Sequence, residues 1–159
     1  MNLWKRILSM LSPQTNNSVQ PNNGWAFSIR KDGEDLVCDS GMCTFFGGTA
    51  EQDPEDNGET ASGVSTRKNP DVMGCALPVV PMHSTPDSPL PRIPWHTKVM
   101  VTAGDKSIIV PLLDNGPSKS CGHAIDLTRA AWRALGFPFE KGVARVSYRV
   151  LGASKYLTA

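Results

Sequence analysis

The stretch from Lys106 to Phe137, KSIIVPLLDNGPSKSCGHAIDLTRAAWRALGF, constrains the fold most, because apolar pattern, turn chemistry and ionisable groups coincide there. Ile108, Ile109, Val110, Leu112 and Leu113 form a short, nearly continuous apolar run rich in β-branched residues. It is too short for a core helix and predicts a strand buried on both faces. Pro111 has no N–H to give, so it belongs at an edge, at a bulge, or where that N–H would point away from the ladder. Asp114, Asn115, Gly116 and Pro117 then supply turn chemistry that stops the strand. After a polar loop, His123 to Thr128 reads as a second short strand. The run that follows, with Ala130, Ala131, Trp132, Ala134 and Leu135, has the propensity of a helix, and Gly136 stands where a left-handed C-terminal residue is expected. Two carboxylates, Asp114 and Asp126, therefore close two neighbouring strands. From the residues alone, plain structural roles stand beside catalysis: Asp126 or Thr128 as the helix cap, Asp114 as the organiser of its own turn.

These segments belong to an ordered set. Asp114-Asn-Gly-Pro117, Ile125-Asp-Leu-Thr128 and the Ala-rich helix ending Leu135-Gly136 resemble the D-R-G-P, I-D-L-S and A-A-x-x-L-G pattern of the RlpA-like double-psi β-barrel family. Thr60-Ala-Ser-Gly63 is similar to that family's T-A-N-G turn, and Ala76-Leu-Pro78 to its A-x-L-P segment. Trp95 to Thr102 resembles its G-T-x-V-x-V-T strand and Gly142 to Val150 its closing strand. Any one of these is a weak signal; their order over roughly Cys43 to Gly152 is a specific one. The resemblance implies an all-β domain with one short helix, a six-stranded double-psi β-barrel of the kind shared by lytic transglycosylases, expansins and certain endoglucanases. It also implies that Asp126 matches the general acid of an H-F-D-L motif, with Ile125 in place of the Phe and His123 one residue further back, and that Asp114 matches the aspartate of D-R-G-P. The chain departs from the pattern at Val64, where the family has a Glu, at Gly74-Cys75, where it has a His, and at Asn115, where it has an Arg.

The remaining sequence is read around that barrel. Lys and Arg number 16 against 15 acidic residues, a balance that argues against nucleic acid, whose phosphates call for a basic excess, and leaves neutral glycans open. Residues 1–12 place Trp4, Ile7, Leu8 and Leu11 at helical spacing without the continuous apolar core of a signal peptide. This is an amphipathic segment suited to docking on the domain or on a protein partner; no membrane span is expected, and the export route is left open. Residues 13–24 read as a polar linker, 25–40 as a hairpin outside the family core, with strands at Trp25–Ile29 and Leu36–Cys38, 41–152 as the barrel and 153–159 as a tail. Glu51 to Glu59 is an acidic loop without calcium-site spacing. Cys38, Cys43, Cys75 and Cys121 allow three disulfide pairings and equally allow free thiols.

The functional expectation is a glycan-cleaving enzyme acting at the cell envelope or outside the cell on a wall polysaccharide, peptidoglycan first, with neither metal nor cofactor. Asp126 is the expected proton donor and Asp114 its partner; Glu59, Thr60, Ser62, Trp95, Asn115 and His123 are the candidate substrate-binding residues. Trp132, beside Ala131 and Leu135, reads as core, and Trp95 as the exposed aromatic that stacks on sugar. A general acid must hold its proton near neutral pH. The start of the following helix works against that, so proximity to Asp114 is expected to raise Asp126. The competing class is a non-catalytic carbohydrate-binding or structural barrel, expansin-like or part of a phage or secretion apparatus, motivated by the missing Glu and His.

Overall fold

The computed structural model describes residues 19–79, 85 and 87–157; the amphipathic segment 1–12 lies outside them. Among the described residues seven strands form one sheet: β1 (Arg30–Asp32), β2 (Asp35–Phe46), β3 (Cys75–Leu77), β4 (Lys98–Ala103), β5 (Lys106–Asn115), β6 (Ile125–Thr128) and β7 (Ala144–Val150). The order β2-β6-β3-β5-β4-β7 closes on itself through a β2–β7 pairing, so six strands make a barrel and β1 lies outside, paired to β2. Closure removes the exposed strand edges that an open sheet of this size would leave. Two pairs, β2–β6 and β3–β5, are parallel and the others antiparallel. Parallel neighbours need crossover connections: β3 reaches β5 by way of β4, and β2 reaches β6 by way of β3, β4 and β5.

The barrel interior is filled by alternate residues: Cys75 and Leu77 from β3, Val99 and Val101 from β4, Val110 and Leu112 from β5, Ile125 and Leu127 from β6, Val146, Tyr148 and Val150 from β7. The one α-helix among the described residues, α1 (Arg129–Ala134), starts at Thr128, whose side chain accepts the Ala131 N–H, and ends at Leu135 before Gly136, which takes φ +86°. Trp132 is fully buried, packs against Phe45 and Phe137, and gives its indole N–H to the Pro138 carbonyl. No helix among the described residues is long and apolar enough to cross a membrane.

Several local expectations shift. The outgoing strand of the N-terminal hairpin forms at Arg30–Asp32, not at Trp25–Ile29. Trp25, Phe27 and Ile29 are nevertheless buried, so their alternation marks which side packs on the core, which a chain outside a ladder also satisfies. The return strand and the first barrel strand are one 12-residue element, β2, bent by a register shift between Cys38 and Gly41. Residues 153–156 form a 3₁₀ turn with Ala153 buried and Ser154 N–H bonded to the Glu34 carbonyl. Strand β5 is not buried on both faces, since Ile109 is 58% exposed on its outer side. Pro111 occupies a central strand because the ladder to β3 begins only at Leu112.

Candidate active site

One register position builds the site. Ala76 of β3 lies opposite Asp126 on one side and Asp114 on the other, and Thr44 of β2 lies opposite Asp126 in turn. Thr44, Asp126, Ala76 and Asp114 therefore form a row across four adjacent strands. With strands about 4.8 Å apart, the two aspartate Cα atoms are about 10 Å apart, with only a methyl group between them. Asp114 reaches this row through a bulge. Cys75 pairs with Leu112 while Ala76 pairs with Asp114, so Leu113 is the extra residue. In an unbulged register Ala76 would face Leu113, and Asp114 would pair with Leu77 and turn into the core.

The Thr60–Gly63 turn docks on the end of β5. Ser62 N–H donates to the Leu113 carbonyl (3.0 Å), and Ala61 N–H donates to Asp114 Oδ1 (2.9 Å). Asp114 also accepts the Asn115 N–H (2.9 Å), so it does organise its own turn while facing the row. Burial raises its pKa, and these two N–H groups offset part of that rise. Asp126 differs. Its carboxyl is pushed up to about 7, first by burial, with the Thr44 N–H acting against this and the Asp114 charge adding a smaller rise. Burial, and not the neighbouring carboxylate, is thus the main cause. The helix start does not reverse it, because the cap is Thr128, two residues further on. Asp126 Oδ1 is buried without a hydrogen-bond partner among the described residues, and His123 Nδ1 stands 3.7 Å from it.

The other candidates divide. Thr60 Oγ1 donates to the Val64 carbonyl (2.7 Å) and shares a hydrogen bond with Ser62 Oγ (2.9 Å), so both hydroxyls hold the turn. Glu59 is exposed and bridges to Ser65, one residue from Val64. Val64 lines an open groove of about 570 Å³ with Lys68, Asn69, Pro70, Asp71 and Val72. Neither aspartate lines that groove; the Thr60–Val64 segment joins the two, holding Asp114 at one end and opening on the groove at the other. Asn115 Nδ2 donates to the Val79 carbonyl (2.6 Å), tying the end of β5 to the chain leaving β3. Trp95 is half-buried and packs against the core. One part of the ring is therefore covered by the core and the rest stays accessible. Ala76 and Thr44, which frame the acid, carry no chemistry a sequence reader would select; the small residue in Ala76-Leu-Pro78 is the only hint. All four cysteines are free, with Cys38, Cys43 and Cys75 buried and Cys121 exposed.

Similarity to a known family agrees with this architecture. Residues 78–148 match the double-psi β-barrel family model described as "Lytic transglycolase". No curated protein sequence matches the chain. Among solved structures, the Streptomyces papain inhibitor (SPI) is similar at 22% identity with a TM-score of 0.47, over 74% of this chain and 96% of that one. The family match covers 71 of the chain's 159 residues, from β4 into β7 with both aspartates and the helix; over that segment the chain is similar to the double-psi β-barrel family, and the six strands close into the fold that similarity implies.

Proposed function

We propose that the barrel cleaves a cell-wall glycan, with peptidoglycan as substrate, at the cell envelope or outside the cell, by proton donation from Asp126. The observation that carries this reading is the contrast between two carboxylates at one level of the sheet. Asp114 receives two N–H donors, while the Asp126 carboxyl has a buried, unpartnered oxygen and is pushed up to about 7. A pair of acids whose surroundings drive them apart is the arrangement that glycosidic cleavage needs. Asp126 gives its proton to the leaving oxygen as the C–O bond breaks. Asp114, the anionic partner, faces the positive charge that develops on the sugar ring. The Asp126 carboxylate then takes a proton from the sugar's own hydroxyl as an anhydro ring closes, a route that needs one acid and suits a chain with Val64 in the position of the family Glu.

That same Val64 favours the second reading, a barrel that binds wall glycan without breaking it. Purified sacculi incubated with wild type and with Asp126→Asn separate the two. Cleavage predicts muropeptides released by wild type well above the variant, by the 10²- to 10⁴-fold typical of a lost general acid. Retention on sacculi with equal, background release from both proteins sinks the enzyme reading and supports the binding one.

A further inference from the structure

Asp126 Oδ1 is a buried acceptor with no donor among the described residues. An unsatisfied buried carboxyl oxygen is tolerable while the group is protonated and costly once the proton leaves. One donor is within reach. His123 Nδ1 is 3.7 Å from Oδ1, beyond hydrogen-bond range by a distance that a small side-chain rotation closes, and the imidazole is only 23% exposed. The backbone between them is held firmly: Ala124 N–H donates to the Met42 carbonyl (2.8 Å), and the Ala124 carbonyl accepts the buried Tyr148 hydroxyl (3.1 Å). Just upstream, Gly122 in the left-handed region (φ +73°) turns the chain into this approach.

We propose that His123 is the positioning residue of the acid: its Nδ1–H donates to Asp126 Oδ1 when Asp126 has given up its proton, and holds the carboxylate until a proton returns. The inference rests on Asp126 being the proton donor and adds the group that stabilises its ionised form. No proton is lost or gained by His123 in this role. The other groups acting on Asp126 are the Thr44 N–H and Asp114, and the Cys43 thiol on β2 is itself raised by burial first and then by the Asp126 charge. Of these, the Thr44 N–H alone donates, which leaves Oδ1 to His123.

The test is a carbon NMR titration of the Asp126 side-chain carboxyl in the full chain, without substrate, for wild type, His123→Ala and His123→Gln. Loss of a donor to a charged acceptor should raise the Asp126 midpoint in His123→Ala by about one pH unit, tenfold in the ionisation constant. Glutamine, whose amide can donate, should return it toward wild type. Identical midpoints in wild type and His123→Ala overturn the proposal, as does a midpoint in His123→Gln no closer to wild type than that of the alanine variant. If the alanine variant does not fold, a glutamine midpoint near wild type supports the donor role, and one a full unit higher overturns it. Because no glycan is present, a shifted midpoint combined with no muropeptide release supports the His123–Asp126 contact and counts against glycan cleavage alone.

Discussion

The raised Asp126 carboxyl makes a prediction about stability that requires no substrate. The side chain is 18% exposed, and its pKa goes from an ordinary 3.8 to about 7 in the folded chain. Between about pH 4 and 7 the folded protein keeps a proton that the unfolded chain has released, so stability falls as pH rises through that window. The contribution is fully present below pH 4 and gone above 7. A gap of about 3 at 1.36 kcal/mol each is worth about 4 kcal/mol. Asp126→Asn abolishes the titration while keeping the oxygen in place, so the variant should lose about 4 kcal/mol less than wild type between pH 4 and pH 8. Any constant packing penalty of the amide cancels when each protein is compared with itself. Asp114, also raised by burial, contributes with the same sign in both proteins. Urea unfolding at the two pH values, followed by tryptophan fluorescence, measures the difference. Equal pH dependence in wild type and Asp126→Asn would refute the argument, since it would mean that Asp126 titrates alike in the folded and unfolded chains.

Asp114→Asn should leave the docked turn intact, because an amide oxygen still accepts the Ala61 and Asn115 N–H groups, yet it removes the charge facing the substrate. Muropeptide release should drop about 100-fold, while the Asp126 midpoint moves only slightly down, since burial outweighs the Asp114 charge; a large downward move would show that the coupling has been underestimated. Gly41→Ala places a methyl 2.3 Å from the Ala124 Cβ, and Ala124 cannot retreat because its N–H and carbonyl are both bonded. The cost should be about 1–3 kcal/mol in urea unfolding, and an unchanged midpoint would mean that the β2 bend yields more easily than its hydrogen bonds suggest.

What could be read from the sequence was local. The apolar run closing on Asp114, the turn after it, the short strand carrying Asp126 and the helix between Thr128 and Gly136 are all encoded within a few residues of themselves, by side-chain alternation, turn formers and a capping hydroxyl. The order of such segments was enough to indicate the barrel and both aspartates. What the tertiary structure decided depends on residues distant in the chain. The extra residue at Leu113 that brings Asp114 level with Ala76 exists only in the pairing with β3. The bend after Cys38 that makes β2 one strand exists only against β7. Trp95 gives no sign in the sequence that it is half-buried, because the core it packs against is assembled from other strands. The acid itself is the clearest case. Its neighbours in sequence suggested a carboxylate stabilised by a helix start and rescued by a second charge, whereas its actual state follows from being enclosed by β2 and β3. Desolvation sums over every atom that displaces water, most of them far away in the chain, so the fold sets it and no spacing of residues can.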